Sequence, residues 1–458
     1  MTAASLLTLL PAFALGWGLT AWLWPRPAQA AELLFQLIVG AGLGMGVRTC
    51  LAFFSLLLFG AHFGGLLWVE LLLAAGLWGL ALRAGRAVPR PAGGFWPRPS
   101  AWGWGLLGVL AVCAAAAAFS YLETVQHTPH GTFDAYAIWN LRARHLLSAA
   151  DWRAAFSPAL NWKAHADYPL LIPLSAAVSW NWLGQQTVRT PMLLAGLWTW
   201  GTLGLLFSAL WGQRGAAAAS LGALVVVSSP LLIWVGSNQT ADMAVAFFVL
   251  AAMALAWLAS TRGYPAGMLA LAGLCAALAA WAKNEGIVFG LGTLMLGAAV
   301  SLRTRHPRWL GWLAAGAALP ALALILFKGF VAPPGDLFAQ GIGDILAKLA
   351  DPARYGAVWR GLVETLPMVG AWHVLLVYTA LTWKRLRGSE ALAGWAGLAV
   401  WGAAAAAALM IYVITPHPQV WHLKYSLDRV LFQLFPAAVL WMGLAARPPE
   451  EWKLISKG

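Results

Sequence analysis

Apolar runs of membrane-spanning length, roughly 17–25 residues each, return from Ala3 to Ala445. They constrain the chain more than anything else in it. In lipid, backbone N–H and C=O groups must pair within the protein, so spanning segments are helices or closed barrels. No stretch alternates polar and apolar residues as a barrel strand would. The composition agrees: the chain is 61% hydrophobic and only 10% charged, where a soluble protein carries about a quarter charged residues. The expectation is an all-α polytopic membrane protein of about 13 spans, near 5–24, 33–60, 64–83, 103–121, 190–211, 215–235, 241–260, 265–282, 286–302, 309–328, 367–383, 391–413 and 429–445. The first run lacks a basic leader region and a small-residue cleavage site, so it reads as a retained helix. Cys50, Cys113 and Cys275 all lie inside apolar runs, which implies neither a disulfide framework nor a metal knuckle.

The net charge of +13 could suggest nucleic acid. In a membrane chain it reads instead as basic cytoplasmic loops. Arg86, Arg90 and Arg98 mark the 84–102 loop as cytoplasmic, which puts the N-terminus outside. Arg26, Arg214, Arg262, Arg303, Arg305, Arg308, Lys384, Arg385, Arg387 and the tail then also fall inside. That side collects sixteen Lys and Arg against four acids, and the outer side twelve against eleven. The apolar segment 168–183 decides this layout. If it crossed, every later basic loop would face outward. It is therefore expected as a helix at, or dipping into, the outer surface, opened by Tyr168-Pro169 and interrupted by Pro173. Arg48 and Glu70 sit within adjacent spans and could pair inside the membrane.

With that layout the polar motifs share the outer side. The longest polar interruption, His127 to Pro173, carries His127, His130, His145 and His165 with Asp134, Asp151 and Asp167. Asp134 follows a span beside Phe133, Tyr136 and Trp139. A carboxylate at an apolar boundary can serve as a general base, or it can merely cap the helix toward His145. Asp242 opens a span after Asn238 and Gln239, where helix-dipole stabilisation would also explain it. Lys283-Asn284-Glu285-Gly286 is a charged cluster between spans, or simply a hydrated turn. His165, Asp167 and Tyr168 precede the expected surface helix, where a solvated histidine is the plain reading. His422, Lys424, Asp428 and Arg429 sit where the chain re-enters the membrane. Cations there suit a lipid phosphate or snorkel to the interface. No Walker A, G-x-G-x-x-G, H-E-x-x-H or CxxC pattern occurs, so no cofactor signature is present.

In this order the pieces resemble the GT-C superfamily of integral-membrane glycosyltransferases, in the branch of protein O-mannosyltransferases and lipid A aminoarabinose transferases. The likeness is carried by Asp134 in the first large outer loop, Tyr168-Pro169, Arg189 ahead of a span, Asp242-Met243, the K-N-E-G turn and Ser426 to Arg429. It covers 103–445, preceded by an extra three-span segment with its linker (1–102) and followed by a cytoplasmic tail (446–458). The Lys-Pro-Pro that the aminoarabinose transferases place before their Tyr-Pro helix is replaced here by Asp167-Tyr168-Pro169-Leu170. The resemblance implies sugar transfer from a polyprenyl-phosphate carrier to a lipid, glycan or protein acceptor, on the extracytoplasmic face of the cell inner (plasma) membrane. It makes Asp134 the catalytic base and Asp242 a second acid that binds acceptor or metal. Lys283 and Arg429 would contact the carrier phosphate. Tyr136, Trp139, Asn140, His165, Asp167, Tyr168, Glu285, His422 and Lys424 would complete substrate binding. A divalent metal ion is the one cofactor this leaves room for, and nucleic acid is no partner. The alternative is a transporter or flippase for an anionic lipid-linked solute, using the same cations without chemistry. Transporters of that kind are built from repeats with broken helices at the midplane, and here most charges lie at span ends.

Overall fold

The computed structural model describes residues 3–86, 98–147, 151–160 and 164–454. Arg90 of the 84–102 loop and the last four residues of the tail lie outside them. Among the described residues the chain is helical, with only an isolated bridge between Trp383 and Ala446 outside that pattern. The helices in chain order are α1 Ala3–Leu23, α2 Ala30–Phe59, α3 Gly64–Arg83, α4 Ala101–His127, α5 Asn140–Leu146, α6 Leu171–Leu183, α7 Arg189–Val227, α8 Pro230–Ser237, α9 Asp242–Thr261, α10 Ala266–Ala282, α11 Glu285–Arg303, α12 Pro307–Phe330, α13 Ile342–Ala350, α14 Pro352–Thr365, α15 Trp372–Leu381, α16 Gly388–Ile414 and α17 Gln419–Ala445.

Ten of these helices are long and apolar enough to cross a membrane, or eleven if the bent pair 352–369 and 372–381 counts as one span. This is the architecture of a multi-pass helical membrane protein. The count differs from the thirteen expected, for identifiable reasons. The runs 190–211 and 215–235 count once within α7, but they are two helices that meet at Gly215, where φ is 85°, and Thr199 of the first donates to the Gly236 carbonyl at the far end of the second run, at 3.1 Å. Ser228 to Pro230 then separates α7 from the eight-residue α8. The 265–282 run is a 17-residue helix. The 367–383 run contains only the ten-residue α15, set at 85° to what precedes it. Periodicity shows apolar length; it does not show where a glycine or proline bends the axis.

The segment 168–183 is the next element to place. The expectation sets it at, or dipping into, the outer surface, and every residue from Leu171 to Trp180 is buried against neighbouring helices. Its thirteen residues span only about 20 Å at 1.5 Å per residue. Tyr168 and Asp167 immediately precede it, so a rigid, buried element carries them into the interior.

Small residues let the helices approach closely, as membrane bundles require where no hydrophobic effect drives association. A Cβ added to Gly16 would lie 1.8 Å from the Gly40 carbonyl oxygen, and one on Gly44 would lie 1.8 Å from that of Ala12. α1 and α2 therefore touch backbone to backbone. The core runs through α9 and α10, whose side chains are buried almost throughout.

Candidate active site

The site is built where the ends of several elements meet the side of α17, which supplies Arg429 and Gln433 from its interior. Asp242 is the first residue of α9 and is 1% exposed. Its carboxylate does not cap that helix, because Ala241 holds the cap position. Instead Thr240 donates to Oδ2 at 2.7 Å. Lys283 Nζ and Gln433 Nε2 both donate to Oδ1, at 3.0 and 2.5 Å. Arg429 Nη1 stands 3.8 Å from Oδ2.

Arg429 also reaches Asp134, with Nη1 donating to Oδ2 at 2.5 Å. Asp134 precedes a single π-helical turn, Ala135–Trp139, that leads into α5, and its side chain makes no capping hydrogen bond. The capping explanation is thereby set aside. π-turns inside helices frequently accompany functional sites. One guanidinium therefore bridges the two carboxylates singled out in the sequence. Asp134 and Arg429 thus form one ion pair.

Lys283 is buried rather than set in a hydrated turn. Its ammonium contacts Asp242 on one side and Glu285 Oε1 at 2.7 Å on the other. Burial alone would lower its pKa, but the Asp242 and Glu285 carboxylates hold it above the ordinary lysine value. Gly286 makes this geometry available. A Cβ there would lie 2.0 Å from the Ala279 carbonyl oxygen, so the turn closes only with glycine.

A second layer surrounds this core. Asp167 is buried and accepts from Asn284 Nδ2 at 2.7 Å and Lys328 Nζ at 3.5 Å. Arg142 on α5 donates to the backbone carbonyls of Ala164, His165 and Tyr168. Its burial lowers its pKa to about 10. Those three bonds fold the 164–168 segment onto α5. Tyr168 is stacked between Trp139, with ring centroids 5.5 Å apart, and His165, at 4.8 Å. Burial pushes the Tyr168 hydroxyl pKa up. It also pulls the His165 imidazole down, although Asp167, Asp336 and Asp134 oppose that shift. His165 is therefore half-buried and packed, not solvated, and it holds a left-handed φ of 43°.

The remaining candidates stand further out. Asn140 donates to Gln239 Oε1 at 3.0 Å. His422 Nδ1 pairs with the Thr415 hydroxyl at 2.7 Å. Tyr136 is exposed and meets Phe133 edge-on. Lys424 is exposed and lies over the Tyr425 ring rather than at a carboxylate. Sequence reasoning overlooks Gln433, Lys328 and Arg142, and gives Thr240 and Asn284 no role. Gln433 carries a usable signal, a polar side chain inside an apolar run. Arg142 and Lys328 carry none, because a basic residue in a loop or at a span end is common.

The arrangement does not fit a divalent metal. Among the described residues no group of three or more His, Cys, Asp or Glu side chains is placed to hold one. Both Asp242 oxygens are already engaged by Thr240, Lys283 and Gln433. Cations, not ligand oxygens, face the carboxylates. Three buried polar atoms of the cluster and the layer around it are nevertheless without partners: Arg429 Nε, Glu285 Oε2 and Asn284 Oδ1. Donors and acceptors left unmade in one neighbourhood are what a polar ligand would complete.

Beside the cluster, a narrow crevice lies between α9, α11, α16 and α17. Val245, Val249, Phe289, Ala404, Val430 and Leu434 line it, and Glu285 and Gln433 form its polar side. The chain matches no family model, no curated protein and no solved structure.

Proposed function

We propose that the chain is a membrane glycosyltransferase of GT-C type, moving a sugar from a polyprenyl-phosphate carrier to an acceptor hydroxyl. One observation carries this reading. Arg429 bridges Asp134 and Asp242 while Lys283 holds the other oxygen of Asp242. Two cations and two carboxylates thus meet at the helix ends, next to an apolar crevice.

A phosphate monoester arriving beside Arg429 and Lys283 competes for their N–H donors. The guanidinium then turns from Asp134 to phosphate, as charge-assisted bonds to phosphate favour. Asp134, no longer neutralised, accepts the proton of the acceptor hydroxyl. The acceptor oxygen bonds to the anomeric carbon as the carbon–oxygen bond to phosphate breaks. The departing phosphate keeps the electron pair and is stabilised by Arg429 and Lys283. The apolar lining beside Gln433 and Glu285 marks the side from which the lipid carrier approaches.

Sidedness follows from the same contacts. Asp134 and Arg142 precede segment 168–183, while Asp242, Lys283, Lys328 and Arg429 follow it. Their contact supports a non-crossing 168–183, with the 84–102 loop in the cytoplasm. The cluster then faces outward from the plasma membrane, and 103–445 forms the transferase unit. The deciding test incubates purified protein with a radiolabelled polyprenyl-phosphate sugar and follows sugar loss from the carrier. Wild type should release sugar, and Asp134→Asn should bind the carrier but release almost none. Carrier bound by both with no release by wild type would leave transport as the better reading.

A further inference from the structure

Residues 336–369 leave the bundle after α12 and return at α15. Within them, α14 has two apolar faces. One, with Val358, Ala357 and Leu362, packs on Leu423, Leu427 and Val430 of α17 and on Tyr412 of α16, forming a small core separate from the main one. Gln340 Nε2 donates to the Ile414 carbonyl at 2.8 Å, and Gln419 Nε2 donates to that of Arg354 at 2.9 Å. These bonds fasten the excursion to the tops of α16 and α17.

The other face of α14 is turned away from the bundle. Tyr355, Trp359 and Val363, four residues apart, are exposed, Trp359 to 66%. On α13, Ile342 and Leu346 repeat the pattern, with Ile342 exposed to 78%. Four-residue spacing places each set on one stripe of its helix.

The direction of α14 says what covers that stripe. The helix through Val369 meets α15 at 85°. Gly370 makes the corner with a φ of 123°, and a Cβ there would lie 3.0 Å from the Val225 carbonyl oxygen. α15 exposes Val374, Val377 and Leu381, the outer face of a helix that runs with the bundle. The exposed row Tyr355, Trp359, Val363, Met368 leads along the chain into that face. α15 runs beside the membrane-spanning α17, from Gly370 next to Phe435 to Thr379, which donates to the Met442 carbonyl at 3.3 Å, so a helix at right angles to it lies in the membrane plane.

We propose that residues 342–365 are an in-plane membrane anchor. Its partner is the bilayer surface on the side of the charged cluster, and Ile342, Leu346, Tyr355, Trp359 and Val363 insert at the boundary of headgroups and acyl chains. Tyr and Trp favour that depth. Between 336 and 365 the bases Lys348, Arg354 and Arg360 face four acids, Asp336, Asp344, Asp351 and Glu364. Insertion is therefore driven by apolar area, and it needs no anionic lipid. Because α14 packs on Leu423 and Leu427, close to Arg429 on the same helix, the anchor also holds the charged cluster at headgroup depth. The inference rests on the membrane architecture and stands or falls apart from the chemistry proposed above.

The test uses full-length protein with Cys113→Ala, since Cys50 and Cys275 are buried, reconstituted in phosphatidylcholine vesicles. Single nitroxide labels replace Leu346, Trp359, Asp344 or Arg360. Collision with oxygen against a water-soluble nickel chelate reports the depth of each. Labels at 346 and 359 should be oxygen-accessible and several-fold shielded from the chelate, equally in neutral and anionic vesicles. Labels at 344 and 360 should meet the chelate freely. Chelate access at 346 and 359 equal to that at 344 would put the helices in water and overturn the anchor. Shielding from both reagents would also overturn it, since a protein surface would then cover the stripe. Shielding that appears only with anionic lipid would refute apolar insertion.

Discussion

Two buried clusters in this chain use the same side-chain chemistry to opposite ends. Arg48 on α2 and Glu70 on α3 form a two-pronged pair, Nε to Oε1 at 2.8 Å and Nη2 to Oε2 at 2.6 Å. The third guanidinium nitrogen, Nη1, donates to the Thr8 carbonyl, and the Trp182 ring covers the group at 4.6 Å. Both side chains are fully enclosed. In the Arg429 cluster one guanidinium is divided between two acids, its Nε has no partner, and the Asp134 side chain is 30% exposed. An unmade bond on a buried polar group costs about 1–3 kcal/mol. The first cluster has closed its bonds and ties the N-terminal helices to α6. The second keeps bonds in reserve, which is the condition for taking a ligand. Buried charge alone does not separate structure from function, whereas completeness of pairing does.

The comparison breaks most sharply at Asp134. Asp134→Asn keeps shape and removes basicity, so turnover should fall by about 10²–10⁴-fold with thermal stability nearly unchanged. Near-normal turnover in the sugar-release assay would move the base to Asp242 or Glu285. Arg48→Ala should do the reverse. It strands Glu70 in an apolar interior and should destabilise by about 3–5 kcal/mol, read as loss of folded protein on heating in detergent. Arg48→Met combined with Glu70→Leu should recover most of that loss, because an apolar replacement of a whole buried pair is often neutral. If the double variant stays as unstable as the single, the pair is more than a tie.

A smaller effect is expected at Arg429. Arg429→Lys keeps the charge but loses the planar, many-donor guanidinium whose Nη1 lies between Asp134 and Asp242, and carrier affinity should drop by about 1.5–3 kcal/mol. Unchanged affinity, measured by titration of the carrier, would remove Arg429 from the phosphate site. The smallest effect is expected at His165. Burial lowers its pKa in the folded protein, so the unfolded chain binds the proton first as pH falls. The neutral state is therefore favoured by folding above the unfolded pKa of about 6.5, and stability declines below it, by no more than about 1.4 kcal/mol per pH unit. His165→Asn, which tolerates the left-handed φ, should flatten that decline between pH 7 and 5. Identical profiles for wild type and variant would refute it.

Much of the architecture is legible in the order of the residues. Apolar length announces the helical class, because lipid leaves the backbone few ways to satisfy itself. Arg48 and Glu70 are readable as partners, because charges inside spans need one another. Asp134, Asp242, Lys283 and Arg429 stand out because a span end is where a charge can be both held and reached. Their pairing is not legible. Asp134 and Arg429 lie 295 residues apart, and residue spacing cannot report a contact made by packing helix ends against the side of α17. Nor can the sequence tell a capping Asp134 from an ion-paired one, since both call for the same residue before the same helix. Burial of α6, the break at Gly215 and the corner at Gly370 depend on neighbouring helices. Local chemistry sets which segments become helices and which residues carry charge. Tertiary packing sets which charges are closed and which are left open, because desolvation and partner geometry exist only once distant segments share one interior.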